Sequence, residues 1–238
     1  MTCRMVRTSA LAQIALVVGL GMVWQAQAGD AKKPYLSIAP LDQYLIADAD
    51  AEIVLARSAA PESISHDAGV LLLGRHGYET AVKSKNGFVC VVERAWMLPY
   101  DDPEFLNPEV RLPLCVNLPA ARSHLPFTFK ATQLALAGLP KSQMFNTLKA
   151  AFDKKELPLP EAGSMCYMMS KRQYFGPQYG NADPHLMFWF ARADDMTWGA
   201  DLPGSPVFVH QDSPDPITTF IISASQWSDG TPGPAAVP

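Results

Sequence analysis

The sequence predicts an α+β protein, a largely antiparallel sheet with helices packed on one face. Three observations carry this. Runs with strand character occupy residues 70–95 and return over 164–224, and a block with helical spacing lies between them at 126–155. Strands grouped on either side of a helical block fit an antiparallel sheet better than alternating βαβ units. The 21 prolines fall mostly in short connections, which stiffens loops in a compact fold rather than signalling disorder.

The chain opens like an export signal. Arg4 and Arg7 precede an apolar stretch over 11–24, and Ala26-Gln27-Ala28 supplies the small residues a signal peptidase reads. That apolar stretch, about 14 residues, is shorter than the roughly 20 that span a bilayer. Cleavage after Ala28 would lower Lys+Arg from 19 to 17 against 23 Asp+Glu, a net charge of −6. The expected layout is a cleaved signal at 1–28, one α+β domain at 29–227, and a disordered Gly/Pro/Ala tail at 228–238. Periplasmic or secreted bacterial localisation follows, without stable membrane insertion once the signal is removed. No basic run or basic-aromatic stripe is present after residue 28, which excludes nucleic acid as a partner.

Residues 40–58 read as a helix, with Asp48-Ala-Asp-Ala-Glu ahead of Ile53, Val54 and Leu55, Arg57 near its end, and Pro61 as a stop. Val70 to Leu73 reads as a buried strand, followed by a turn at 74–77. Segments 78–83 and 88–95 flank Asn86-Gly87, a strong hairpin signal that would set Glu79 opposite Arg94 and Thr80 opposite Glu93. Residues 98–119 read as a long irregular crossing. Helices follow at 126–137, capped by Gly138, and at 141–155, started by Pro140, with Met144, Leu148, Ala151 and Phe152 as the apolar stripe of the second. Strands return at 164–170, 185–192, 207–210 and 217–224. In the 185–192 run, Phe188 and Phe190 share one face, with Met187 and Trp189 on the other; its continuous apolar character predicts a central strand covered on both sides.

Cys3 leaves with the signal, so Cys90, Cys115 and Cys166 remain. An oxidising compartment favours one disulfide and one leftover thiol, and the shorter closure, Cys90–Cys115, is the expected pair.

The motifs for chemistry are sparse. The strand ending in Arg75-His76-Gly77 resembles the histidine phosphatase signature over about seven residues. The resemblance implies His76 as nucleophile, Arg75 as phosphate ligand and His210 as a second histidine. The same residues also suit an exposed turn, with glycines taking the difficult angles. Neighbouring sequence favours the turn, since a hairpin signal follows where that family has a loop and helix, and Gln211 rather than glycine follows His210. His66, His76, His124, His185 and His210 show no metal-ligand spacing, and no Gly-x-Ser-x-Gly, phosphate loop or dinucleotide fingerprint occurs, so no metal or cofactor is expected. Asp101-Asp102 and Asp194-Asp195 read as loop solvation.

Aromatics cluster late in the chain, at Tyr167, Tyr174, Phe175, Tyr179, Phe188, Trp189 and Trp198, and the Gly/Pro/Asn/Asp-rich stretch 176–183 suits a flexible rim over a pocket. The expected function is a non-enzymatic binding or interaction module, with Tyr174, His185 and Trp198 as binding residues and a small molecule or an envelope protein as partner. A phosphate-ester hydrolase using His76 and Arg75, or a structural envelope component, are the alternatives.

Overall fold

A computed structural model describes residues 35–193, 196–211 and 216–234; the expected signal at 1–28 lies outside the described residues. One eight-stranded sheet runs through the molecule in the order β2-β1-β3-β4-β5-β6-β8-β7. Its strands are β1 (Gly69–Gly74), β2 (Gly77–Val82), β3 (Val89–Glu93), β4 (Leu112–Val116), β5 (Met165–Met168), β6 (His185–Ala191), β7 (Val207–His210) and β8 (Ile217–Ser223). Every pairing is antiparallel except β1 with β3. The α+β class and largely antiparallel sheet therefore hold.

The helices are α1 (Ala49–Arg57), α2 (Glu62–Ser65), α3 (Leu118–Ser123), α4 (Leu125–Leu136) and α5 (Lys141–Asp153). Strand alternation separates two cores. Val91, Leu114, Val116 and Cys166 face Ala120, Phe127, Ala131, Met144 and Leu148 of the central helices. Cys90, Val92 and Cys115 point the other way, onto Ala56, Ala59 and Ala60 at the end of α1. The central helices form the expected layer on one face, and α1 adds cover on the opposite face of β1, β3 and β4. Asp48 starts α1 by accepting from the amides of Asp50 and Ala51.

The Asn86-Gly87 hairpin does not form. The hairpin is β1–β2, turning at Arg75-His76 with Gly74 opposite Gly77. The chain then crosses the start of β1, and β3 lies parallel to β1 on its far side. Asn86 closes a local turn instead: its Oδ1 accepts from the Phe88 amide at 3.0 Å, and its Nδ2 donates to the Ile64 carbonyl at 2.8 Å. The crossing passes so close to Gly69 that a Cβ there would sit 3.0 Å from the Ser84 nitrogen.

The 98–119 segment is not wholly irregular, for it contains β4, buried at all five positions. Pro113 faces Val92 and Cys115 faces Cys90. Proline has no N–H to donate, so both pairs belong to the non-hydrogen-bonded set, where side chains approach most closely. The Cys90–Cys115 disulfide bridges the two strands there, and Cys166 is a buried free thiol on the other face. A disulfide of this kind suits an extracytoplasmic compartment.

The chain does not trail away at Ser228 as expected. The Ser228 hydroxyl donates to the Ser58 carbonyl at 2.6 Å, its amide donates to the Met169 carbonyl, and Lys171 pairs with Asp229 at 2.7 Å. Residues 235–238 lie outside the described part. Among the described residues, no helix is long and apolar enough to cross a membrane.

Candidate functional site

A cleft of about 550 Å³ opens on the face of β6 and β8 that carries Met187, Trp189, Thr219 and Ile221. The ends of β3, β4 and β5 and the central helices contribute Glu93, Leu112, Met168, His124 and Phe127 to its lining. Glu93 comes from the end of β3, opposite Leu112, and His124 from the junction of α3 and α4. Strand register then sets a row across the sheet: His210 faces Thr219, Thr219 faces Trp189, and Trp189 stacks on His124 with centroids 4.0 Å apart and an 11° interplanar angle. Leu98, Leu112, Phe127 and Met168 make much of the remaining lining apolar.

Glu93 and His124 are buried together, their side chains 6% and 10% exposed. Thr128 donates to Glu93 Oε1 at 2.6 Å, and the same oxygen lies 3.5 Å from His124 Nε2. Thr132 in turn bonds the Thr128 carbonyl and accepts from the Trp96 indole at 3.0 Å, which fixes Thr128 from behind. His124 Nε2 makes no hydrogen bond. A buried nitrogen without a partner, beside a carboxylate, retains hydrogen-bonding capacity that a bound group could use.

One wall is formed by Phe175 and the 176–183 segment that follows it, which contributes Tyr179 and Ala182. It is tied down rather than loose. Gln173 Nε2 donates to the carbonyls of Ala182 and Asp183, and buried Glu104 accepts from the Gln178 amide at 3.1 Å and from Asn107 at 2.6 Å. Gly176, at φ 101°, passes so near Glu104 that a Cβ would lie 2.6 Å from its carboxyl carbon. Asp102 lies beside Tyr179, and burial pushes its carboxyl above the ordinary range against the opposing pull of the Glu104 amide and Tyr179.

His185 lines the cleft, as the sequence singled out. Its Nδ1–H donates to the Asp183 carbonyl at 2.7 Å, which leaves Nε2 as an acceptor, and burial pulls the imidazole below its ordinary range. Tyr174 and Trp198 are not in the lining. Tyr174 forms a two-way backbone bridge with Arg111, and its neighbour Phe175 reaches the cleft instead. Trp198 stacks on Phe220 at 4.3 Å, on the opposite face of β8. Phe188 and Phe190 on that face are only half-buried, so β6 is covered less completely than its apolar run implied.

His76 and Arg75 are exposed at the β1–β2 turn, where Arg75 pairs with Asp42 at 2.6 Å. His210 belongs to β7 at the other end of the sheet, so the two histidines of the phosphatase-like reading do not face each other. Sequence reasoning missed Glu93, His124 and Asp102. A carboxylate closing the apolar run Val89–Val92 was the available signal for the first. No family model matches this chain, and no curated protein or solved structure is similar enough to it to place its fold or site by likeness.

Proposed function

We propose that this protein is an exported, non-enzymatic binding module that holds a small molecule with an apolar body in the cleft between β6–β8 and the 176–183 rim. The observation that carries this is the cleft itself, largely apolar and furnished with a few converging polar groups. None of its described lining residues is Ser, Cys or Lys, the side chains that most often begin covalent catalysis. The N-terminal signal pattern and the disulfide support a periplasmic or secreted setting.

The test is titration of the purified protein with the neutral fluorophore N-phenyl-1-naphthylamine, whose emission rises in apolar surroundings. Saturable enhancement is expected, and Ile221→Trp, which fills the cleft, should abolish it while the fold is retained by circular dichroism. Enhancement that persists unchanged in that variant would place binding elsewhere and overturn the reading.

A further inference from the structure

We propose that the ligand of this cleft is a cation, an organic amine or ammonium carried on an apolar body, with Glu93 as its counter-ion. This rests on the cleft being a binding site. Among the titratable groups of the lining are two carboxylates, Glu93 and Asp102, and three histidines, but no Lys or Arg. A buried carboxylate ordinarily has a cationic partner, because desolvation of an unpaired charge is costly. Buried Glu52 has such a partner in Arg94 at 2.8 Å, and buried Glu104 takes two neutral donors, the Asn107 side-chain amide and the Gln178 backbone amide. Glu93 has only the Thr128 hydroxyl and the neighbouring imidazole.

The geometry suits an ammonium group. Glu93 Oε1 and His124 Nε2 stand 3.5 Å apart, so one nitrogen can lie within hydrogen-bond reach of both, about 2.8–3.0 Å from each. His124 Nε2 is buried and without a hydrogen bond, and in the tautomer that carries its proton on Nδ1 it accepts from such a donor. His185, also in the lining, has a second acceptor nitrogen in Nε2, since its Nδ1 is committed to the Asp183 carbonyl. The aromatic rings of Phe127, Phe175 and Tyr179 are also in the lining, and an aromatic face attracts a cation. A carboxylate or phosphate ligand would instead meet two acidic side chains and no fixed cation.

The experiment is calorimetric titration of the purified protein at neutral pH and low salt with three chain-matched probes: octylammonium, 1-octanol and octanoate. Octylammonium should bind at least tenfold more tightly than 1-octanol, with octanoate weakest. Glu93→Gln, which keeps an acceptor for Thr128, should erase the ammonium preference and leave 1-octanol binding in place. The wild-type ranking decides the matter even where that variant does not fold. Equal affinity for ammonium and alcohol, or a preference for octanoate, overturns the cationic ligand and leaves the cleft reading standing. Failure of all three probes to bind overturns both.

Discussion

Strands β3 and β4 and strands β6 and β7 belong to one sheet but differ in cover. The first pair is buried at nine of its ten positions, with helices on both faces. The second has half-buried or exposed side chains at all but Trp189. Polar groups follow the same division. In the closed half, Arg94 spends its guanidinium internally, on Glu52, on the Tyr44 carbonyl at 2.8 Å and on the Val92 carbonyl. At the open half, His124 and His185 line a cleft, His124 with Nε2 free of any hydrogen bond. The sheet thus joins a half covered by helices on both faces to a half that opens on that cleft.

The largest expected effect is on the scaffold side. Arg94→Ala strands a buried carboxylate and should cost about 3–5 kcal/mol in urea unfolding, while Trp198→Ala, removing a ring that is 38% exposed, should cost clearly less. Equal losses would erase the contrast between the halves. Next comes the disulfide. It closes a sequence separation of 25 residues, so Cys90→Ala with Cys115→Ala should lower stability by about 3–4 kcal/mol on chain-entropy grounds. Fluorophore binding at low denaturant should be unchanged, since the bridge lies on the α1 face, away from the cleft.

The same division explains what the sequence disclosed. Strands with unbroken apolar runs, such as β6 and β7, were legible because period and composition agree there. Strand β4 was hidden by Pro113, a residue that ordinarily argues against a central strand and is accommodated here at a non-hydrogen-bonded pair. The Asn86-Gly87 signal points to a hairpin because turn chemistry is local, whereas the parallel pairing of β1 with β3 is a tertiary choice. For the site, His185 was accessible as a polar residue at the mouth of an aromatic strand. Glu93 and His124 lie 31 positions apart and meet only because the start of α4, with Thr128, is set against the end of β3, which no spacing rule records.

Gly176→Ala probes the seam between the halves. The new Cβ would enter the Glu104 carboxylate, which Asn107 and the Gln178 amide hold in place, at a positive φ that alanine rarely adopts. A loss of about 1–3 kcal/mol is expected, together with weaker fluorophore binding as the rim shifts. Weaker binding without any stability loss would show that the rim is less firmly tied to the body than its hydrogen bonds imply.

The smallest effect is a proton linkage at His185. Burial holds its imidazole below the ordinary value of 6.5, so the folded protein binds this proton less readily than the unfolded chain does. Its contribution is therefore fully present above pH 6.5, falls as pH drops through the window down to the folded-state value, and changes no further below it. Asp102 acts in the opposite sense: raised from 3.8, it favours the folded state most at low pH, and that contribution disappears as pH rises through its folded-state value. His185→Gln should accordingly flatten the stability profile below pH 6.5 by less than about 1 kcal/mol, read from urea midpoints, while leaving the carboxylate-dependent part at lower pH. A steeper profile in the variant would mean that the imidazole is stabilised as a cation by the cleft, and a positive group would then stand on the lining that carries Glu93 and Asp102.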